Sequence, residues 1–220
     1  MSDTRWTLDP AIDAFVSGMT MPSPDFMQKL AAERAPLEAA APGVGDAAPA
    51  FSVERLTPGG ELSEESVALS DFRGRNLALQ FGSYTCPIYR GQIARFNEIF
   101  DRYGDDYAFL TIYTSEAHPE DGWQVGINHA QNVVYSQPCT LDERAAIATD
   151  CMQAHGMRMP FALDDMNDTA EKLYAASPER LYVIDGEGIV RHRSVPGPFQ
   201  MSAIDEWEAA LAENIVLPVR

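Results

Sequence analysis

Apolar positions along the chain follow two periods. Short, nearly unbroken apolar runs at 76–81 (NLALQF) and 107–113 (YAFLTIY) read as buried central strands. Between them Ile88, Ile93, Phe96, Ile99 and Phe100 recur at helical spacing, so the first strand feeds a helix. Residues 51–56 and 67–69 predict two shorter strands around the hairpin turn Thr57-Pro58-Gly59-Gly60. Thr140-Leu141-Asp142-Glu143 has the form of a capping box and opens a helix to about His155. A short strand is expected at 161–163, and a helix capped by Asn167 is expected to reach about Ala176. Residues 180–184 and 189–193 predict a hairpin around Asp185-Gly186-Glu187-Gly188. Ile204, Trp207, Ala210 and Leu211 mark a last amphipathic helix over about 202–213. Strand–helix alternation closed by a hairpin and a helix predicts an α/β sheet covered on both faces.

The start of the chain reads differently. Residues 1–45 are expected to form a helical extension and linker ahead of a domain over 46–220. A short helix fits 10–19. A second opens at Ser23-Pro24-Asp25, with cap, proline and acid in order, and runs to about Glu38 with Pro36 near its end. Residues 39–50, rich in Ala, Gly and Pro, read as linker. Residues 115–139 show no clear periodicity, and connections that long are often functional.

Composition narrows the function classes. The chain has 220 residues, is 45% hydrophobic and 22% charged, and carries a net charge of −17. That charge disfavours nucleic acid and anionic membranes as partners. No run of 18 apolar residues predicts a membrane span. The N-terminus lacks the basic start and apolar core of a secretory signal. Three cysteines without a framework spacing fit a reducing cytoplasm.

Candidate chemistry centres on Cys86. It falls between the first central strand and its helix, just ahead of Pro87, which suits the first helical position. Orphan amides and the helix dipole favour an anion there, so a thiolate with a lowered pKa is expected. Tyr89 stands where a Cys-x-x-Cys motif would hold its second cysteine. An oxidised Cys86 must then be resolved by Cys139, by Cys151 or by an outside thiol. Cys139 follows Pro138 in the irregular stretch, where a mobile resolving cysteine and a bystander are both open readings. Cys151 lies in a predicted helix and reads as core. The Thr85 hydroxyl is a candidate bond to the thiolate, or a local turn bond. Arg90, one turn into the helix, is a secondary cation. Cys151, Met152, His155, Met157 and Met159 offer soft ligands suited to Cu(I), but such residues along a helix more often fill a core. His129, His155 and His192 read as surface or packing residues.

The segments Ala47-Ala48-Pro49-Ala50-Phe51 and Leu69-Ser70-Asp71-Phe72-Arg73-Gly74, with the strand–cysteine–helix unit, resemble thioredoxin-fold redoxins, including peroxiredoxins. The iodothyronine deiodinase family is the nearer match. Gly82-Ser83-Tyr84-Thr85-Cys86-Pro87 resembles its active-site segment, with Cys86 where those enzymes usually hold selenocysteine. Glu116-Ala117-His118 followed by Asp121-Gly122-Trp123 is similar to a second motif. Leu173-Tyr174-Ala175-Ala176 with Pro178-Glu179-Arg180-Leu181-Tyr182 is similar to a third, and Gly197-Pro198-Phe199 resembles the close of the last hairpin. The resemblance covers about 47–213. Departures are Tyr84 where those enzymes often have cysteine, Ile88 where they often have a second proline, and Tyr135-Ser136-Gln137 where a second histidine is expected.

The resemblance implies a thioredoxin-like fold: a central mixed sheet flanked by helices, with an N-terminal β-hairpin. It implies a thiol-dependent oxidoreductase in which Cys86 attacks a halogenated aromatic, a peroxide or a disulfide. Ser83 stands at the spacing of a peroxiredoxin hydroxyl. His118 with Glu116 is the acid/base candidate, and Arg180 is expected beside the thiolate. Ser177-Pro178 aligns with the cis-proline loop and would hold the Ser177 backbone toward substrate, with Met159-Pro160 as a competing cis bond. Trp123 and Tyr84 would line the substrate side. An external thiol reductant such as thioredoxin or glutathione, a small-molecule substrate and a homodimer are expected. The alternatives are a peroxiredoxin-like peroxidase and a non-catalytic module holding Cu(I).

Overall fold

The computed structural model describes residues 22–197 and 202–214. The helix expected over 10–19 lies outside them, as do the last residues of the Gly197-Pro198-Phe199 motif. Helix α1 (Pro24–Ala40) starts as its sequence requires: the Ser23 hydroxyl accepts the Phe26 amide at 3.2 Å, and Asp25 lies in the first turn. It takes Pro36 within its length, and none of its residues is buried. Ties at its edges therefore hold it. The Glu38 carboxylate pairs with Arg180 at 2.8 Å and also with Arg193.

The stretch read as linker is a paired segment. The Gly45 amide donates to the Val190 carbonyl at 2.8 Å, and the Val190 and Ala48 amides donate to the Asp46 and Gly188 carbonyls at 2.9 Å each. Composition suggested a linker because Ala, Gly and Pro carry no strand signal. An open sheet edge supplied the partners instead.

Seven strands form one sheet in the order β2-β1-β5-β4-β3-β6-β7. They are β1 (Ser52–Leu56), β2 (Leu62–Ala68), β3 (Leu77–Gly82), β4 (Ala108–Tyr113), β5 (Phe161–Leu163), β6 (Arg180–Ile184) and β7 (Val190–Arg193). The β3, β4 and β5 neighbours run parallel, and the remaining pairs are antiparallel. The helices are α2 (Pro87–Tyr103), α3 (Gly126–Ala130), α4 (Leu141–His155), α5 (Thr169–Tyr174) and α6 (Ser202–Asn214).

Strand β3 is buried throughout, as a central strand with both faces covered must be. Its alternate residues Leu77, Leu79 and Phe81 join one apolar cluster with Tyr174 and Tyr182, whereas Ala78 joins the other with Ile93, Phe96 and Trp207. Trp207 is wholly buried and donates its indole N–H to the Tyr182 carbonyl at 2.9 Å, locking α6 onto the sheet. Truncating a ring so placed costs about 3–5 kcal/mol.

The capping box of α4 is present, and the helix ends at left-handed Gly156 (φ +60°). The cap of α5 is not Asn167. Asp168 holds that position, and the Asp165 carboxylate takes the Asn167 and Thr169 amides at 2.9 and 3.1 Å. The aperiodic stretch 115–139 contains the short helix α3. It carries buried Asn128, whose amide donates to the Thr85 carbonyl at 2.9 Å.

Candidate active site

Strand β3 ends at Gly82, where a Cβ would lie 2.2 Å from the Tyr89 ring, so only glycine lets α2 pack this close to the strand. The chain turns through 83–86, with the Cys86 amide donating to the Ser83 carbonyl at 3.1 Å. Cys86 is the N-cap of α2 and Pro87 its first residue. The position is the expected one, but its electrostatics differ. Cys86 is wholly buried, and burial pushes its thiol well above the usual cysteine range. The Glu179 charge pushes the same way. The amides of Ile88 and Tyr89 and the Arg90 guanidinium favour the thiolate, yet they do not offset desolvation in this closed arrangement.

One side of the cysteine is a fully bonded network. Glu116, also buried, accepts the Thr85 amide at 2.9 Å and the Thr85 hydroxyl at 2.6 Å, and its other oxygen accepts the Tyr113 hydroxyl. The Tyr113 oxygen in turn accepts the Tyr84 amide at 2.9 Å. Desolvation outweighs these donors and holds the Glu116 carboxyl above its ordinary value. The Thr85 oxygen accepts the His118 amide at 3.0 Å. Thr85 thus joins Glu116 to His118, which the structure places side by side without a direct bond between their side chains.

His118 Nδ1 lies 3.1 Å from the Trp123 carbonyl. A carbonyl only accepts, so Nδ1 carries the proton and Nε2 is left as an acceptor. Burial pushes the His118 pKa down to about 4, so the ring is neutral. Trp123 packs edge-on to the imidazole, with centroids 4.6 Å apart, and meets Phe26 of α1 on its other side. The Ser83 hydroxyl is committed to the Ala117 amide at 3.1 Å. The Tyr84 ring is buried beside Tyr135 and His155, and Tyr84 borders a cavity of about 330 Å³ with Pro87, Arg90 and Gln131.

The opposite side holds the Ser177-Pro178 loop, whose bond is cis as expected. It is the only cis bond among the described residues, so Met159-Pro160 is trans. The Ser177 hydroxyl accepts Arg34 of α1 at 3.2 Å, and both line a cavity of about 210 Å³ with Glu171 and Pro196. Cys86 is among the charges acting on Arg34. Arg180 does not face the thiol. Its guanidinium is turned to Glu38, at 2.8 and 3.1 Å, and not to Glu179 either. Alternation along β6 explains this, since adjacent strand residues point to opposite faces. It leaves Glu179, rather than Arg180, acting on Cys86.

Arg90 is the cation that approaches the cysteine through α2. Its guanidinium, almost wholly buried, bonds only neutral groups: the Tyr84 carbonyl at 3.1 Å, Asn128 at 2.8 Å and Gln131 at 2.6 Å. Sequence alone gave no sign of these partners, because α3 has no periodic signal. Tyr113 and Arg34 were likewise missed: one ends an apolar strand, the other sits on a polar helix. Cys139 is exposed but not loose, since the Glu143 carboxylate holds its amide at 2.7 Å. Cys151, Met152, Met157 and Met159 are all buried in the cluster around α2 and pack as core.

This sheet with its cysteine-initiated helix and cis-proline loop defines a thioredoxin-like fold. Two solved structures share it. The thioredoxin domain of a thiol-disulfide oxidoreductase from Bacteroides vulgatus matches with a TM-score of 0.53 at 14% identity, covering 79% of this chain and 98% of that one. The reduced 2-Cys peroxiredoxin of Plasmodium vivax matches with a TM-score of 0.51 at 16% identity, covering 77% and 80%. The chain belongs to the iodothyronine deiodinase family, whose model matches residues 27–214. The human thyroxine 5-deiodinase is 31% identical over 161 residues, 72% of this chain and 51% of that protein. The type I iodothyronine deiodinase of Xenopus laevis is 33% identical over 145 residues, 65% of this chain and 55% of that one. The chain thus spans about half the length of the curated relatives it matches.

Proposed function

We propose that this protein is a thiol-dependent reductase of a halogenated aromatic, with Cys86 as nucleophile and an external thiol as reductant. The observation that carries this reading is the Thr85–Glu116–Tyr113 network with neutral His118, built immediately beside Cys86 on a family motif. The cysteine sulfur takes the halogen as X⁺ while the aromatic carbon keeps the bonding pair and takes a proton, giving Ar–H and a sulfenyl halide. Two external thiols then return Cys86 to the thiol and leave as a disulfide, with the halide released as its acid. The free Nε2 of His118 is suited to accept a hydrogen bond from a phenolic hydroxyl of the substrate, and Trp123 walls that side. Cys139 is not required for this cycle. Substrate must displace part of the cover over Cys86, and α1, held by the Glu38 and Arg34 ties rather than by a buried face, is the element suited to move.

Three free cysteines fit a reducing, cytoplasmic setting, and among the described residues no helix is long and apolar enough to cross a membrane. A homodimer is proposed from family membership, and sedimentation showing only monomer at working concentration would sink it. Peroxide reduction is the weaker reading, because the Ser83 and Thr85 hydroxyls that would hold a peroxide are already bonded to Ala117 and Glu116. The test is halide release from iodinated phenols with a dithiol, set against peroxide consumption under the same conditions. Wild type is expected to release iodide and Cys86→Ser to release none. Peroxide consumption without iodide release would overturn the reading.

A further inference from the structure

Among the described residues Arg90, Arg144 and Arg180 are almost wholly buried, and they differ in their partners. Arg144 pairs with Asp168 and Arg180 with Glu38, at 2.8 Å each. Arg90 meets no carboxylate among the described residues. Gln131 accepts from its Nε at 3.0 Å and from its Nη2 at 2.6 Å, Asn128 accepts from Nη2 at 2.8 Å, and the Tyr84 carbonyl accepts from Nη1 at 3.1 Å. One N–H on Nη1 has no acceptor among the described residues. A buried charge offset only by neutral dipoles is costly, and a carboxylate brought beside it is held by charge-assisted bonds.

Arg90 borders the cavity of about 330 Å³ with Tyr84, Pro87, Gly91, Gln131 and His155. That size lies within the range of small-molecule sites. Tyr84 and Pro87 flank Cys86, so the cavity adjoins the turn that carries the thiol. His118 and Trp123, on the proposed substrate side, contribute nothing to its wall. The neighbouring acids are committed: Glu116 accepts from Thr85 and Tyr113, and Asp150 accepts the Tyr135 hydroxyl at 2.9 Å. The dehalogenation cycle needs two reactants, a halogenated substrate and a thiol, and this cavity gives the second a place of its own.

We propose that this cavity binds the external reductant as a small carboxylate-bearing thiol of the glutathione class, with its carboxylate on Arg90. The proposal rests on the reading of Cys86 as a cysteine resolved from outside. A first thiol displaces the halide from the sulfenyl halide, which gives a mixed disulfide on Cys86 and the hydrogen halide. A second thiol attacks the sulfur of the bound reductant. The bond between the two sulfurs breaks, the small disulfide leaves, and Cys86 takes the proton. Two thiols are oxidised to one disulfide, and the sulfenyl halide is reduced by the same electron pair. The chain as a whole, at a net charge of −17, repels an anionic thiol. Only a local cation can favour such a thiol over a neutral one.

The last step run backwards is the test. Reduced protein receives either glutathione disulfide or the neutral 2-hydroxyethyl disulfide, and the mixed disulfide formed at Cys86 is followed by peptide mass spectrometry. The ratio of the two rates within one protein cancels the opening that uncovers Cys86 and any effect of Arg90 on its thiolate. Exposed Cys139 supplies the reference ratio, set by the reagents and by long-range repulsion. In wild type the Cys86 ratio should exceed the Cys139 ratio at least about tenfold, and added salt should shrink the excess. Arg90→Gln should bring it to the Cys139 level, and Arg90→Lys should keep part of it. Gly91→Phe should abolish it as well: a Cβ at position 91 meets nothing within 4 Å, so the ring takes cavity space and leaves the Arg90 bonds alone. Should Arg90→Gln not fold, Gly91→Phe decides. A wild-type Cys86 ratio no higher than that of Cys139 overturns the proposal and leaves a protein dithiol as the reductant. An excess that Arg90→Gln and Gly91→Phe both leave unchanged overturns it too, as does a Cys86 that exchanges with neither disulfide. No halogenated compound takes part, so failure of the dehalogenation reading and failure of this proposal are separately visible.

Discussion

Two carboxylates act from opposite sides of the Cys86 turn, and their surroundings differ. Glu116 is buried and Glu179 half-buried with its Oε2 shielded from solvent, and desolvation raises both above the ordinary carboxylate value. Glu116 meets three donors, from Thr85 and Tyr113. Glu179 has an oxygen that meets none. Two desolvated carboxylates thus become two kinds of group. The bonded one fixes geometry, because moving it would orphan several partners at once. The unbonded one holds its charge weakly, and its protonation can change at neutral pH without rearranging anything.

The largest effect should come from breaking the bonded side. Glu116→Ala strands the Tyr113 hydroxyl and both Thr85 donors in a dry site. At about 1–3 kcal/mol for each unsatisfied group, with partial relaxation, a loss of about 4 kcal/mol in denaturant unfolding is expected. A loss below about 1 kcal/mol would mean the network does not hold the turn.

The orphan side should respond to pH instead, with the reverse sign for its removal. The Glu179 carboxyl titrates near 7 folded and near 4.5 in its ordinary state. Between those values the folded form binds the extra proton, so stability falls as pH rises through the window, by up to about 3 kcal/mol. His118, lowered to about 4, works in the opposite direction: its contribution is present above about 6.5 and lost as pH falls toward 4. The clean observable is therefore the difference between Glu179→Gln and wild type. It should be small near pH 5 and favour the variant by up to about 3 kcal/mol near pH 8. A difference that does not change with pH would show that Glu179 has a partner in solution.

The bonded side was far more legible in the sequence than the orphan side. The β3–Cys86–α2 unit and the α4 capping box are carried by residues close together in the chain, where spacing dictates geometry, and the Glu116/His118 motif was legible through the family resemblance. Arg180 went astray because its partner, Glu38, lies on a helix with no buried face, and charge pairs far apart in sequence leave no periodic trace. Glu179 was passed over for the same reason. A glutamate before a strand looks solvent-facing until the fold shows Gly197 and Phe96 closing over it. The Cys86 setting was half legible: the helix start is a local property, but burial of the thiol depends on everything packed above it.

Helix α1 connects the two sides and offers the third test. Glu38→Ala leaves Arg180, which is 1% exposed at its side chain, without its carboxylate. Because Glu38 itself is partly solvated, about 2 kcal/mol of destabilisation is expected rather than the 3–5 kcal/mol of a fully buried pair. Unfolding in denaturant measures it, and a value near zero would mean that water replaces Glu38 on Arg180.

The smallest effect lies at the other end of the same helix. Phe26 is 42% exposed and touches the bonded side only through the Trp123 ring, with centroids 6.3 Å apart at 70°. Phe26→Ala should cost about 0.5–1 kcal/mol in denaturant unfolding, the scale of one edge-to-face pair. Combined with Glu38→Ala, its cost should shrink. The two residues are twelve positions apart, roughly 18 Å along the helix, too far to touch. Distant residues normally add. They couple here only if α1, with no buried face of its own, moves as one body once its Glu38 end is released. Simple additivity in the double-mutant cycle would show instead that each end is anchored alone, and that the cover over Cys86 does not open as a unit.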